Sequence, residues 1–243
     1  MHRREGDISA ALPPSPLLPR LIDLYDDGRW VALAFEAVSG RLPHHPWDER
    51  ELLRVLTALV QLHDALTPSP VAAVAPTSEH LRADFSGWRS LAGMTRAPAA
   101  LDAWSERHLD QLAELEGAWP EASLGTTLIH GDVRSDNVLI GDDAVVFVDW
   151  PHASVGSPLL DLVEWAPSVT LEGGPQPEDL LARFPAARTA DPGVITALVA
   201  AWAGFLTEHA LRPPPPGLPT VRAFQDAQGQ VARSWLQHRT GWR

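Results

Sequence analysis

The chain has 243 residues, 45% apolar and 21% charged, which fits one folded domain or a two-lobed unit and is too apolar for a disordered chain. Acidic side chains number 31 against 19 basic ones, and the formal charge of −12 argues against a nucleic-acid partner, which needs a basic footprint. Cysteine is absent and all 19 basic side chains are arginine, so disulfides, thiolate metal sites and any step that needs a lysine are excluded. The acidic balance is compatible with a cationic small substrate and equally with a solubilising surface. No apolar run reaches the ~18 residues of a membrane span and the first residues, MHRREGD, lack a signal-peptide core, so the expected address is cytoplasmic with no membrane partner.

In chain order, residues 3–12 are a short helical candidate closed by Pro13 and Pro14. Two apolar runs, 21–25 and 30–35, flank Asp26-Asp27-Gly28, a strong turn signal, and predict a β-hairpin. Ser39-Gly40-Arg41-Leu42-Pro43 then breaks the strand and begins a connector. Asp48 with Glu51 three residues on has the spacing of a capping box. Behind it Leu52, Val55, Leu56, Leu59, Leu62 and Leu66 form one stripe of a helix ending near Thr67-Pro68. Residues 70–76 read as loop, 81–91 as a short amphipathic piece carrying Trp88, and 99–119 as one longer helix. The pattern switches at Thr126, after which 127–129, 138–140 and 144–148 are short apolar runs, with Gly141-Asp142-Asp143 as the turn between the last two. Asp191-Pro192 is an N-cap followed by proline at the first helical position, leading into a helix over 195–209. A proline tract at 213–216 reads as a stiff linker to a last helix near 220–239.

The stretch that carries chemistry is LIHGDVRSDNVLIGDDAVVFVDW. Asp132 and Asn137 lie five residues apart on a loop that feeds the hairpin 138–148. A hairpin returns the chain to its start, so Asn137 at the entrance and Asp149 at the exit are expected to be neighbours, with Asp132 close to both. An Asp and an Asn offer hard oxygen ligands suited to Mg²⁺, and a carboxylate not spent on metal can accept the proton of an attacking hydroxyl. That combination is the phosphoryl-transfer arrangement around a metal–nucleotide complex. Arg134 is read either as a phosphate contact, since arginine forks onto phosphate oxygens, or as half of a surface ion pair. His63 is read as a packed or loop-capping residue, and the ten Trp as packing.

His130-Gly131-Asp132, then Asn137, then Val148-Asp149-Trp150 resembles the aminoglycoside phosphotransferase family, also called the phosphotransferase enzyme family, which shares its fold with protein kinases. The resemblance implies an α+β, protein-kinase-like fold: a remnant of the small β lobe over 1–40, with an αC-like helix, hairpin and hinge, and a mostly helical C-lobe over 41–243 with a catalytic loop at 129–150. It implies transfer of the γ-phosphate of ATP or GTP, with Mg²⁺, to a hydroxyl of a small molecule. Carried over by position, Asp132 is the catalytic base, Asn137 and Asp149 are magnesium ligands, His130 is structural, and Asp161 braces the catalytic loop from a helix. Ser157 departs from the aspartate common at its place. Leu33–Gly40 resembles the hinge that holds adenine, with the Glu36 carbonyl and the Val38 amide as its partners.

Against this stands what a kinase-like small lobe should carry and residues 1–40 do not: a glycine-rich loop over the phosphates and a strand lysine paired with a helix glutamate. Glu5 resembles that glutamate without its partner. The chain begins where three strands of the lobe should already have passed, which fits either a start that lies further upstream or a shortened relative. The expectation is weak or absent turnover for residues 1–243, with an inactive kinase-like binding or sensing module as the alternative, and a bared hairpin face at 21–25 and 30–35.

Overall fold

The computed structural model describes residues 1–95, 98 and 100–243. Helix α1 (His2–Ala11) ends where Leu12 turns extended ahead of Pro13. Gly6 lets α1 lie directly on the hairpin, since a Cβ there would stand 2.3 Å from Leu24 Cδ1. Strands β1 (Leu21–Asp26) and β2 (Val31–Phe35) pair antiparallel, with Leu24 opposite Leu33. Gly28 at φ 87° and the Asp26 and Asp27 carboxylates, which accept the N–H groups of Gly28, Arg29 and Trp30, close the turn. The bared hairpin is found: Ile22, Leu24, Tyr25 and Trp30 are exposed, with α1 lying against Leu24 and Leu33 at Gly6.

Helix α2 (Glu49–Ala65) starts at Asp48, whose Oδ1 accepts from the Arg50 and Glu51 amides at 2.9 and 3.1 Å. The reciprocal half of the box is not made. Glu51 instead accepts from the Arg41 guanidinium, the His44 amide and the His44 ring, which hold its pKa down at about 2 and tie the connector to α2.

The pieces between α2 and the hairpin at 138–147 are shorter than their periodicity suggests. The predicted element at 81–91 is α3 (Thr77–His80), a run of turns, and α4 (Gly87–Ala92). The single helix predicted over 99–119 is three: α5 (Ala103–Arg107), capped by Asp102, α6 (Leu109–Glu116) and α7 (Trp119–Ala122). It breaks at His108 and again at Gly117, ahead of Pro120, and its expected first residue, Ala99, lies outside the described residues.

Strand β3 (Thr127–Ile129) pairs with β6 (Ser154–Gly156), a strand the sequence pattern did not announce, and β4 (Val138–Ile140) pairs with β5 (Val145–Phe147) as the embedded hairpin. Two contacts seat the N-terminal segment and the connector on that hairpin: Arg41 bridges Ile140, and the Phe147 amide donates to the Leu17 carbonyl at 3.0 Å. The helical body follows with α8 (Leu159–Leu171), α9 (Pro177–Leu181), α10 (Pro185–Thr189), α11 (Pro192–Ala210) and α12 (Val221–Thr240). Contrary to the expectation from sequence, α11 is long and apolar enough to cross a bilayer by length and composition; here its Ala197–Ala201 stretch is buried among α4, α6, α8 and α12 as a core helix. The protein is thus an α+β chain with small sheets on a predominantly helical body.

The tightest helix contact is glycine on glycine. A Cβ at Gly87 would stand 2.0 Å from the Gly204 carbonyl oxygen, which is backbone and cannot turn aside. Gly87→Ala therefore forces α4 away from α11 and is expected to lower stability by about 1–3 kcal/mol or more. An unchanged denaturant midpoint would contradict that packing.

Candidate active site

The site begins with Asp161, in the first turn of α8 and without exposed surface. Its Oδ2 accepts from the His130 amide at 3.0 Å and from His63 Nε2 at 2.8 Å, and its Oδ1 accepts from the Gly131 amide at 2.7 Å. Burial works against the charged form, but the hydrogen bond to His63 and the Gly131 amide outweigh it, holding the pKa below the usual carboxylate range. Gly131 sits at φ 74°, and a Cβ there would stand 2.6 Å from the His152 carbonyl oxygen, so the loop turns where only glycine fits.

His130 then links the two sides of the loop. Its Nδ1 accepts from the Asp132 amide at 3.2 Å, which leaves the Nε2 proton to donate to the Val148 carbonyl at 2.9 Å. The half-buried Asp132 side chain accepts from Asn137 Nδ2 at 3.0 Å, and the same amide donates to the Asp132 carbonyl at 2.9 Å. Both Asn137 protons are thereby used, and its Oδ1 has no hydrogen-bond partner among the described residues. Burial pushes the Asp132 pKa up, partly offset by the charge of Arg134.

Asn137 and Asp149 are joined through the backbone at the ends of the hairpin, the Val148 amide donating to the Asn137 carbonyl at 3.0 Å. Asp149 takes φ 66°, the one non-glycine residue with positive φ among the described residues, a conformation Asp tolerates and other side chains seldom adopt. Its carboxylate has no hydrogen-bond partner among the described residues. It does face Glu5 of α1, a buried carboxyl whose pKa is raised by burial and by the Asp149 charge.

Of the remaining predicted residues, Arg134 is ion-paired with Asp136, its Nε 3.0 Å from Oδ1. Its guanidinium also lies 5.3 Å from the Phe224 ring centre, with Nε 3.9 Å from Asp132 Oδ1. Glu36 follows β2, its side chain paired with Arg20 at 3.0 Å. Neither the Glu36 carbonyl nor the Val38 amide has a partner among the described residues. The sequence thus brings Asp132, Asn137, Asp149, His130 and Asp161 into one constellation, and sets Glu36 and Val38 apart on the interlobe connector.

Several polar side chains here escaped the sequence reading. His63, read as a packed or loop-capping residue, is buried and donates to Asp161, a partner the sequence did not name. Glu172 accepts from Ser135 Oγ at 2.7 Å and from Trp47 Nε1 at 2.9 Å, pinning the catalytic loop to the connector. Glu164 lies one turn along α8 from Asp161, inside the segment LLDLVEWAPSV; a second acid in an otherwise apolar helix was the available signal.

A family model described as the phosphotransferase enzyme family matches residues 2–198. Among solved structures, a choline/ethanolamine kinase family protein from Mesorhizobium loti is 17% identical, covering 97% of this chain and 77% of its own, with TM-score 0.62. The aminoglycoside phosphotransferase APH(4)-Ia is 14% identical over 97% of this chain and 81% of its own, with TM-score 0.63. The choline kinase LicA from Streptococcus pneumoniae is 14% identical over 96% and 81%, with TM-score 0.60. No curated protein matches the sequence significantly.

Removing the Asp161 charge leaves two amides and His63 facing an uncharged group. Asp161→Asn is expected to cost about 3–5 kcal/mol at neutral pH. A depressed folded-state pKa contributes stability above the unfolded carboxylate pKa and loses it as pH falls through the folded value, so the gap to wild type should narrow on acidification. Denaturant titrations across pH that showed a constant gap would contradict the ion-pair account.

Proposed function

This chain belongs to the phosphotransferase enzyme family, and we propose that it is a cytoplasmic enzyme moving the γ-phosphoryl group of ATP or GTP to a hydroxyl of a small molecule. The observation that carries the reading is the Asn137 side chain donating to Asp132 while its own backbone clasps the Val148–Asp149 exit of the hairpin. One carboxylate is held toward the acceptor cleft, and an amide oxygen and a second carboxylate stand beside it.

Asp132 accepts the acceptor's hydroxyl proton as that oxygen attacks, and the burial that raises its pKa brings its basicity closer to a neutral working pH. Asn137 donates both amide protons to Asp132, which fixes the base and turns Oδ1 outward. The donor set fits Mg²⁺: one amide oxygen and one carboxylate without a protein partner, both hard oxygens, leaving room for phosphate oxygens and water. Bound there, Mg²⁺ supplies neutralisation of charge on the transferring phosphoryl group. His130 and Asp161 keep the loop in register through hydrogen bonds to Val148 and to the loop amides. The free Glu36 carbonyl and Val38 amide hold the edge of the base, and Arg134, swung from Asp136, reaches a phosphate oxygen.

A second reading, an inactive relative that binds without turning over, is favoured by one observation: Glu5 faces Asp149 in a chain without lysine. Thermal shift with Mg·ATP and Mg·GTP separates the two when joined to turnover. Ligand at about 100 Kd adds about 2.7 kcal/mol, a rise of roughly 5–10 °C at this size. That shift should vanish in Asp149→Ala and survive in Asp132→Asn, whose turnover should fall by about 10²–10⁴-fold. A shift without Asp132-dependent turnover of any acceptor supports the inactive reading; no shift at all defeats both.

The pH profile gives an independent check. The acid limb of kcat/KM should lie above the usual carboxylate range, and Arg134→Ala, by removing the nearest favourable charge on Asp132, should move it to higher pH. Movement to lower pH would remove Asp132 as the titrating group.

A further inference from the structure

A cavity of about 650 Å³ lies between the end of α1, the proline-rich segment 12–19 and β1. It shares no lining residue with the cleft of about 440 Å³ that opens beside Asp132. Ser9 of α1 lines the cavity and is 8% exposed, and its Oγ has no hydrogen-bond partner among the described residues. Native interiors pair nearly all such groups, so an orphaned hydroxyl on a cavity wall calls for a ligand that completes it.

The sequence places a second deficit at the same spot. In a continuing helix the Ser9 and Ala10 carbonyls would accept from residues 13 and 14, and both are proline, which has no N–H. The last turn of α1 holds no basic residue to answer the negative end of its dipole. Of the charged residues that line the cavity, Glu36 and Arg20 pair with each other, which leaves Asp23 without a counter-charge among the described residues. The walls between these groups are apolar, built by Leu12, Pro13, Leu18 and Leu24.

We propose that this cavity is a binding site for a small organic ammonium ion with an apolar body, its N–H groups donating to Ser9 Oγ and to the unpaired end of α1 and its charge answering Asp23. The site is separate from the catalytic constellation, and the inference does not depend on the phosphotransferase reading. Hydroxyl and carbonyl oxygens accept from an N–H donor, whereas an anion would meet both Asp23 and the negative end of α1. A neutral alcohol would satisfy Ser9 and leave Asp23 uncompensated. The volume is that of a small-molecule site. Ligand held there ties α1 to β1, beside the contact the two already make at Gly6.

The test uses tryptamine with its alcohol and carboxylate counterparts, tryptophol and indole-3-acetate, titrated calorimetrically into the full chain. Tryptamine should bind about 10-fold tighter than either counterpart. Ser9→Ala should weaken tryptamine by about 3–10-fold, and Asp23→Asn should bring tryptamine and tryptophol to within about 3-fold of each other. In the empty protein Ser9→Ala should leave the thermal midpoint unchanged or raise it, because it removes a hydroxyl that the fold does not pair. A lowered midpoint would reveal a partner within the fold and overturn the proposal. Hydrogen exchange locates the ligand: tryptamine should slow the amides of 8–12 and 21–24. Protection confined to 131–134 and 202–209 would put the amine beside Asp132 instead and sink the assignment. Equal affinity for the three compounds, no binding of tryptamine, or binding that both substitutions leave unchanged would do the same.

Discussion

The site depends on one buried carboxylate. Asp161 gathers the His130 and Gly131 amides and the His63 ring around two oxygens that have no access to water. Because a buried charge without partners is costly, the loop that supplies those amides is held where α8 needs it. That requirement sets the left-handed turn at Gly131, aims the next residue, Asp132, into the cleft, and leaves His130 free to reach across to Val148. The catalytic loop is positioned from beneath by a helix, and the hairpin that follows is positioned by the loop.

This hierarchy explains which parts of the molecule could be read from the sequence. The hairpins were legible because Asp26-Asp27-Gly28 and Gly141-Asp142-Asp143 are local turn chemistry, and α2 and α11 because Asp48 and Asp191 are local caps. The meeting of Asn137 with Asp149 was legible because a hairpin's two ends coincide whatever surrounds it. The break of 99–119 into three helices was not. Its apolar spacing continues through His108 and Gly117, and the interruption is set by packing of α4 and α6 on α11. Nor was β6, whose three residues pair with β3 only once the intervening loop has been folded. Within the site, Asp161 was reached across 30 residues only through the family resemblance, and the partners without such a motif stayed unread: His63 is 98 residues from Asp161, and Glu172 is 37 from Ser135.

Acidic groups face one another on both sides of the loop: Asp149 faces Glu5, and Asp132 and Asp161 face Glu164. The arginines nearby are already engaged: Arg134 closes on Asp136, and Arg4 spans from α1 to the Ala153 carbonyl and His80. With no lysine in the chain and these arginines engaged, the carboxylates are left to be neutralised by protons or by what binds. On the proposed reading a divalent cation does so beside Asp149, where positive charge relieves the repulsion with Glu5.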